Sequence, residues 1–417
     1  MKTAVIISEY NPFHNGHQYQ IDRLRTMLGE VCIIAIMSGS YTQRGEPAIF
    51  PKHVRAQAAV DCGISLVLEL PFPYSCNSAE FFAEAAVSIA DRLGVVDYLC
   101  FGSESGELSL IETVSDKLSS EEFRTRLFAM QRAPENAHLG RAALTQQLYA
   151  AMYNAPEQTA LLSRPNDILA IEYLSALKRQ NSSIRPLPVR RFGAEHNSTT
   201  PPEPQLLSEK PVENHSAIAS ATSLRTLLRT EGAEKIAPYV PENAYLIYRE
   251  CIEKQRVADM DNLTEAILAF FRLTDPDSIS DTAEITGGLN YRLCSAAKKA
   301  TSLESFFALA HTKRYTLARI RRAVWNCLLA VTEKQLKTPP AYTQLLATDD
   351  KGREVLRRMK KCASIPILTK PSDYKLLPEN AHRQAAVVHR ADALFTLALA
   401  KSAPAFDFIT QSPYMKK

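Results

Sequence analysis

Over the first hundred residues, short apolar runs rich in β-branched side chains alternate with stretches of helical periodicity. Thr3–Ser8, Val31–Met37, Ser65–Leu70 and Tyr98–Phe101 read as strands. Between them Gln18–Leu28, Pro51–Asp61 and Ser78–Leu93 read as helices, the second with proline at its first position. Strands alternating with helices of about a dozen residues predict βαβ units and a parallel sheet, with ligands bound beyond the C-terminal strand ends. From Leu108 to Gln180 the pattern is mostly helical, interrupted at Ser163–Asp167, and Arg185–Phe192 reads as one more strand. The polar stretch Gly193–Ser216 follows, where Pro201, Pro202, Pro204 and Pro211 forbid regular structure. A helix is expected to start near Thr222, and beyond Pro241 almost everything reads helical. The expectation is an α/β parallel-sheet domain over residues 1–236 and a mainly α-helical region over 237–417, divided near Glu234–Pro241.

Composition narrows the class. At 417 residues the chain exceeds one ordinary domain, and 46% hydrophobic with 23% charged residues excludes a disordered chain. Only 14 glycines exclude a collagen-like one. No apolar run reaches the ~18 residues of a membrane span, and the first strand is too short for a signal peptide. Eight cysteines without a CxxC pair read as reduced core thiols of a cytoplasmic protein, not a disulfide or zinc framework. Charge is uneven: residues 290–417 hold 23 Lys+Arg against 9 Asp+Glu, and the remainder 26 against 36. A basic third on an acidic body suggests a polyanion-binding module; a solvated helical surface is the other reading of the same charges.

The strongest local signal is Asn11-Pro12-Phe13-His14-Asn15-Gly16-His17, directly after the first strand and at the start of the first helix. His14 and His17, three apart, share a helical face. Gly16 removes a side chain where a bulky group could approach the backbone. A helix N-terminus offers unpaired N–H groups and a positive dipole end, and two imidazoles there can donate to phosphate oxygens as charge develops on a leaving pyrophosphate. Metal ligation is disfavoured, because no further cluster completes a site. Turn chemistry alone leaves the strand before and the helix after unexplained.

His14-Asn15-Gly16-His17 matches the HxGH signature of the nucleotidylyltransferase superfamily. With it stand Glu9-Tyr10, Met37-Ser38-Gly39-Ser40, Gln43-Arg44-Gly45-Glu46-Pro47-Ala48, Glu69-Leu70-Pro71 and Phe101-Gly102-Ser103-Glu104. Pro165-Asn166-Asp167-Ile168-Leu169-Ala170-Ile171-Glu172-Tyr173 and Ser220-Ala221-Thr222-Ser223-Leu224-Arg225 complete the pattern. Together they resemble the tRNA(Met) cytidine acetate ligase family of bacteria over nearly the whole chain. The resemblance implies a Rossmann-like nucleotidylyltransferase domain followed by a helical, basic tRNA-binding region. It also implies a reaction. ATP and acetate give acetyl-adenylate and pyrophosphate, and the acetyl group passes to the exocyclic amine of the wobble cytidine of elongator tRNA(Met), giving N4-acetylcytidine. ATP enters as substrate, accompanied by magnesium; no membrane is involved, and the oligomeric state stays open.

The resemblance assigns His14 and His17 to catalysis and the run Ile7, Ser8, Glu9, Tyr10, Asn11, Pro12, Phe13, His14, Asn15, Gly16 and His17 to ATP. Ser220, Thr222, Ser223 and Arg225 look like the second phosphate signature, where hydroxyls hold terminal phosphates and a guanidinium neutralises pyrophosphate. Taken alone they are an ordinary N-cap. Gly102, Asn166, Arg190 and Arg191 are nucleotide contacts by resemblance and a turn glycine, a helix cap and a charge pair without it. Which of the two arginines faces the nucleotide stays open. Arg44 is the candidate for acetate or α-phosphate recognition, since guanidinium pairs bidentately with carboxylate. Lys52 and Arg55 either face the pocket or are solvated charges at a helix start. In the basic third, a helix from Lys313-Arg314-Tyr315 to near Leu329 carries an apolar stripe, with Lys313, Arg314, Arg319, Arg321 and Arg322 as candidate tRNA contacts. Trp325 reads as core. Two further readings remain at this stage: a small-molecule adenylyltransferase with a mononucleotide or phosphopantetheine acceptor, and a non-enzymatic tRNA-binding protein.

Overall fold

The computed structural model describes residues 1–191 and 217–417, so the proline-rich stretch expected at 193–216, and Phe192 before it, lie outside the described residues. The apolar runs form β1 (Lys2–Ser8), β2 (Val31–Ser38), β3 (Leu66–Leu70), β4 (Tyr98–Ser103) and β5 (Arg185–Arg190). The helices between the first four are α1 (Asn15–Leu28), α2 (Lys52–Asp61) and α3 (Ala79–Arg92). These five strands pair in parallel in the order β5-β4-β1-β2-β3. The Rossmann-like, parallel-sheet α/β expectation holds.

Both faces of this sheet are covered, which is why β2 is buried at every position and apolar up to Ser38. Side-chain alternation divides the strands. Val5, Ile34, Ile36, Leu66 and Leu68 pack with α3 and the helix Pro165–Arg179. Ala4, Ile6, Ile33, Ala35, Met37 and Val67 face α1, α2 and the helices Ala221–Glu231 and Glu242–Glu253.

The expectation of a helical run beyond residue 241 is corrected at three points. Thr343–Thr348 forms β6, Ile367–Leu368 β7 and Tyr414–Met415 β8. β6 lies antiparallel to β3, with Leu66 opposite Thr348, and β7 and β8 pair with β6. The C-terminal part, mainly helical as expected, therefore extends the N-terminal sheet. A third apolar core, gathered around Trp325, joins Tyr41, Phe72 and Cys76 of the first hundred residues to the C-terminal helices. All eight cysteines are free, and all but Cys362 are buried. No described helix is long and apolar enough to cross a membrane.

Candidate active site

α1 starts three residues earlier than its periodicity suggests, because His14 is its N-cap. His14 Nδ1 accepts from the Gly16 N–H at 3.1 Å, and His17 Nδ1 accepts from the His14 N–H at 3.2 Å. The two imidazoles form a capping box of the Ser/Glu kind and stack at 3.8 Å between centroids. An accepting Nδ1 carries no proton, so in each neutral ring the proton is on Nε2, as a donor. His17 is held neutral: burial, then the Arg191 charge, lower its pKa to about 3. Gly16 is explained by its neighbour. A Cβ there would lie 2.9 Å from His14 Cε1, so the group that needs the space is the capping imidazole itself.

The segment before the histidines is fixed from several sides. The Asn11–Pro12 peptide is cis and Tyr10 adopts φ 45°. Asn11 Oδ1 accepts from the Ile49 N–H, and the Phe13 N–H donates to the Tyr248 hydroxyl. Arg55, fully buried, donates to the carbonyls of Phe50, Glu9, Ser38 and Gly39. Lys52 is also buried, between Glu69 at 2.9 Å and Asp392 at 2.7 Å. Neither residue is a pocket-facing or solvated charge, contrary to both readings of the sequence. They clamp the loop ends of β1 and β2 to each other and to the C-terminal helix Glu379–Ala398.

Beside the histidines, Arg191 donates to Asn166 Oδ1 at 3.2 Å, and Asn166 in turn donates to Glu104 at 2.6 Å. Arg191 packs against Gly102, where a Cβ would meet its Cγ at 3.3 Å. Gly102, Asn166 and Arg191 thus meet at the end of β4, while Arg190 is exposed and turned to Gly106. Of the two arginines, Arg191 is the one beside the histidines. Asp167 braces this corner, accepting from the Ser103 hydroxyl and the Glu104 N–H.

Ser220 caps the helix Ala221–Glu231 by accepting from the Ser223 N–H at 3.0 Å, and Ser223 returns its hydroxyl to the Ser220 carbonyl at 2.8 Å. These two hydroxyls serve the cap. Arg225 donates to the Asn11 carbonyl at 3.0 Å, to Thr222 Oγ1 at 3.3 Å and to Glu46 Oε2 at 3.4 Å, which joins the second motif to the first. Arg44 is exposed on the turn beside it.

The basic-helix candidates divide. Lys313 and Arg314 are exposed, ahead of the helix Leu317–Leu328. Arg319 and Arg322 pair with Glu284, at 3.3 and 2.7 Å, and Arg321 with Glu46 at 2.5 Å. Arg322, only 8% exposed, points into the fold and is removed from the RNA-facing set. This helix also docks on the turn after β2: Trp325 Nε1 donates to the Gly45 carbonyl at 2.7 Å, and Gly45 has φ +79° with Arg321 and Arg322 packed where a side chain would go. Sequence reasoning assigned no role to Glu46, Glu69, Glu104 or Asp392. The first three stood inside quoted motifs; Asp392 carries no local signal.

A stacked histidine pair caps the helix after a parallel strand, and arginines from two further segments, Arg191 and Arg225, lie beside that histidine pair and the loop before it. The family model of the HIGH nucleotidyl transferases matches residues 1–406. A tRNA(Met) cytidine acetate ligase of Alkaliphilus metalliredigens is 34% identical over all of this chain and 99% of its own length. One of Anoxybacillus flavithermus is 36% identical over 88% of this chain and 89% of its own. The crystal structure of Thermotoga maritima TmcAL bound with alpha-thio ATP superimposes with a TM-score of 0.88 at 28% identity, covering 100% of this chain and 99% of that one. The chain belongs to the HIGH nucleotidyl transferase family and, within it, to the tRNA(Met) cytidine acetate ligases.

Proposed function

We propose that the protein is an ATP-dependent ligase that activates acetate as acetyl-adenylate and transfers the acetyl group to a cytidine amine of elongator tRNA(Met), in the cytoplasm. The observation that carries the reading is the stacked His14–His17 pair at the head of α1, each ring turned by a backbone N–H that its Nδ1 accepts. An acetate oxygen attacks the α-phosphorus of ATP, the α–β bridge bond breaks, and negative charge builds on the departing pyrophosphate. Nε2–H donors preorganised for that charge lower the barrier without moving a proton. Arg225, with Thr222 and the helix N-terminus that Ser220 and Ser223 organise, takes the pyrophosphate side. Gly102, Asn166 and Arg191 take the nucleoside side, and Arg44 the acetate. The cytidine amine then attacks the acetyl carbonyl, and AMP leaves.

Residues 1–236 carry the ATP and acetate chemistry in this reading. Residues 237–417 carry the RNA-binding surface, led by the exposed Lys313 and Arg314. Among the described residues no group of three His, Cys, Asp or Glu side chains is placed to hold a metal ion. The described residues therefore offer magnesium no cage of their own, and no step is assigned to it. The reading is tested by ATP–pyrophosphate exchange with acetate as the sole acceptor. Exchange should require acetate and ATP and nothing more; exchange that ignores acetate but responds to a mononucleotide or phosphopantetheine would replace the ligase with a small-molecule adenylyltransferase.

A further inference from the structure

Glu46 stands between two arginines that belong to different parts of the chain. Its Oε2 meets Arg225 at 3.4 Å, and its Oε1 meets Arg321 at 2.5 Å. The carboxylate is held on a tight turn. The Thr42 N–H donates to the Glu46 carbonyl at 2.9 Å, and the Glu46 N–H donates to Thr42 Oγ1 at 3.3 Å. Arg225 is largely removed from water, with 16% of its side chain exposed, and Glu46 is the nearest opposing charge to it. Arg321 is held in turn by its helix, which Trp325 pins to the same turn. The arrangement is cation–anion–cation, with the anion next to the arginine that faces pyrophosphate.

A carboxylate beside a polyphosphate site repels the ligand unless it is neutralised. Arg225 cannot neutralise Glu46 and serve the phosphates fully at once, since one guanidinium charge is shared between two anions. Arg321 supplies the missing charge from the other oxygen. We propose that Glu46 is a positioning residue that holds Arg225 toward the Asn11 carbonyl, and that Arg321 is the counter-ion that makes this carboxylate compatible with ATP. This deepens the ligase reading and rests on it for the identity of the polyphosphate. It gives the helix Leu317–Leu328 a part in the activation step, although Arg321 lies 275 residues from Glu46 in sequence.

The test is a double-mutant cycle on acetate-dependent ATP–pyrophosphate exchange, with thermal unfolding recorded for each variant. Arg321→Gln leaves Glu46 uncompensated and should raise the KM for ATP about tenfold, within the range of couplings between directly contacting charges. Glu46→Gln keeps the shape and removes the charge; kcat should fall, because Arg225 loses its orienting partner, while the KM for ATP falls or holds. Glu46→Gln with Arg321→Gln should bring the KM back near wild type, a rescue that a purely structural contact does not give. Arg321→Lys keeps the charge and should keep the KM. Additive losses in the double variant, or an unchanged KM in Arg321→Gln, would overturn the proposal. If Arg321→Gln does not fold, Arg321→Lys against Glu46→Gln decides, a raised KM in the lysine variant counting against the charge role. Wild-type protein that shows no acetate-dependent exchange would fault the ligase reading instead. The cycle is then read on the dissociation constant of a non-hydrolysable ATP analogue, with the same signs.

Discussion

His17→Ala separates catalysis from folding at the head of α1. In the wild type His17 Nδ1 accepts from the His14 N–H, its ring stacks on His14 and its edge meets Tyr10 at 4.9 Å between centroids. Losing one capping acceptor costs about 1 kcal/mol of stability, a small part of what a protein of this size holds in reserve. Losing a preorganised donor to the leaving group costs far more in rate, about 10²–10³ in kcat, or about 2.7–4 kcal/mol. The asymmetry is the prediction: in acetate-dependent ATP–pyrophosphate exchange kcat should fall by that factor while the affinity for an ATP analogue changes only a few-fold. The pH profile adds a second reading. With its pKa lowered to about 3 by burial and by Arg191, His17 is neutral throughout the working range. It should therefore contribute no acid limb to kcat between pH 8 and pH 5. Exchange in His17→Ala within a few-fold of wild type would refute the leaving-group role. A fall in wild-type kcat centred near pH 6.5 that vanishes in the variant would refute the neutral imidazole.

Three other outcomes are expected. Lys52→Met leaves Glu69 and Asp392 buried without their shared cation and should destabilise the protein by about 3–5 kcal/mol in urea unfolding; unchanged stability would mean the clamp is not held by charge. His53 is buried and its pKa is lowered to about 3, first by desolvation and then by Lys52 and Arg55. The unfolded state thus takes up a proton near pH 6.5 that the folded state refuses, and stability is lost as pH falls from there. Between pH 6.5 and 4.5 wild type should lose about 2–3 kcal/mol relative to His53→Phe, and parallel pH profiles of the two would contradict the assignment. Charge reversal of Lys313 and Arg314 should lower the log–log salt slope of tRNA binding by roughly 0.7–0.9 per lost phosphate contact and leave acetate-dependent exchange intact. An unchanged slope would return this face to an ordinary solvated surface.

The parallel sheet was legible because βαβ periodicity is local: β1 to β5 and α1 to α3 lie within a few residues of their expected bounds. The first motif was legible for the same reason, since strand, cap and both histidines fall in one short stretch. β6 was missed because a six-residue run of Thr, Gln, Leu and Ala, TQLLAT, carries no clear period. Its partner β3 is nearly 280 positions away, and the Pro339-Pro340 pair before it and the Asp349 cap after it were the only punctuation. Lys52 and Arg55 were misread because charged side chains are ordinarily solvated; burial became affordable only through Asp392 and backbone carbonyls that local sequence does not display. Arg321 and Arg322 repeat the lesson. A basic helix looked like an RNA-binding face from its composition, yet all three of its arginines pair with Glu46 or Glu284.

The central claim, that this phosphate site serves acetyl transfer to tRNA, is tested most directly by mass spectrometry of tRNA(Met) incubated with the protein, ATP and isotopically labelled acetate. The account predicts label on one cytidine, dependent on ATP and lost in His14→Ala and His17→Ala. Label absent from the RNA while pyrophosphate is still released in the presence of acetate would contradict it.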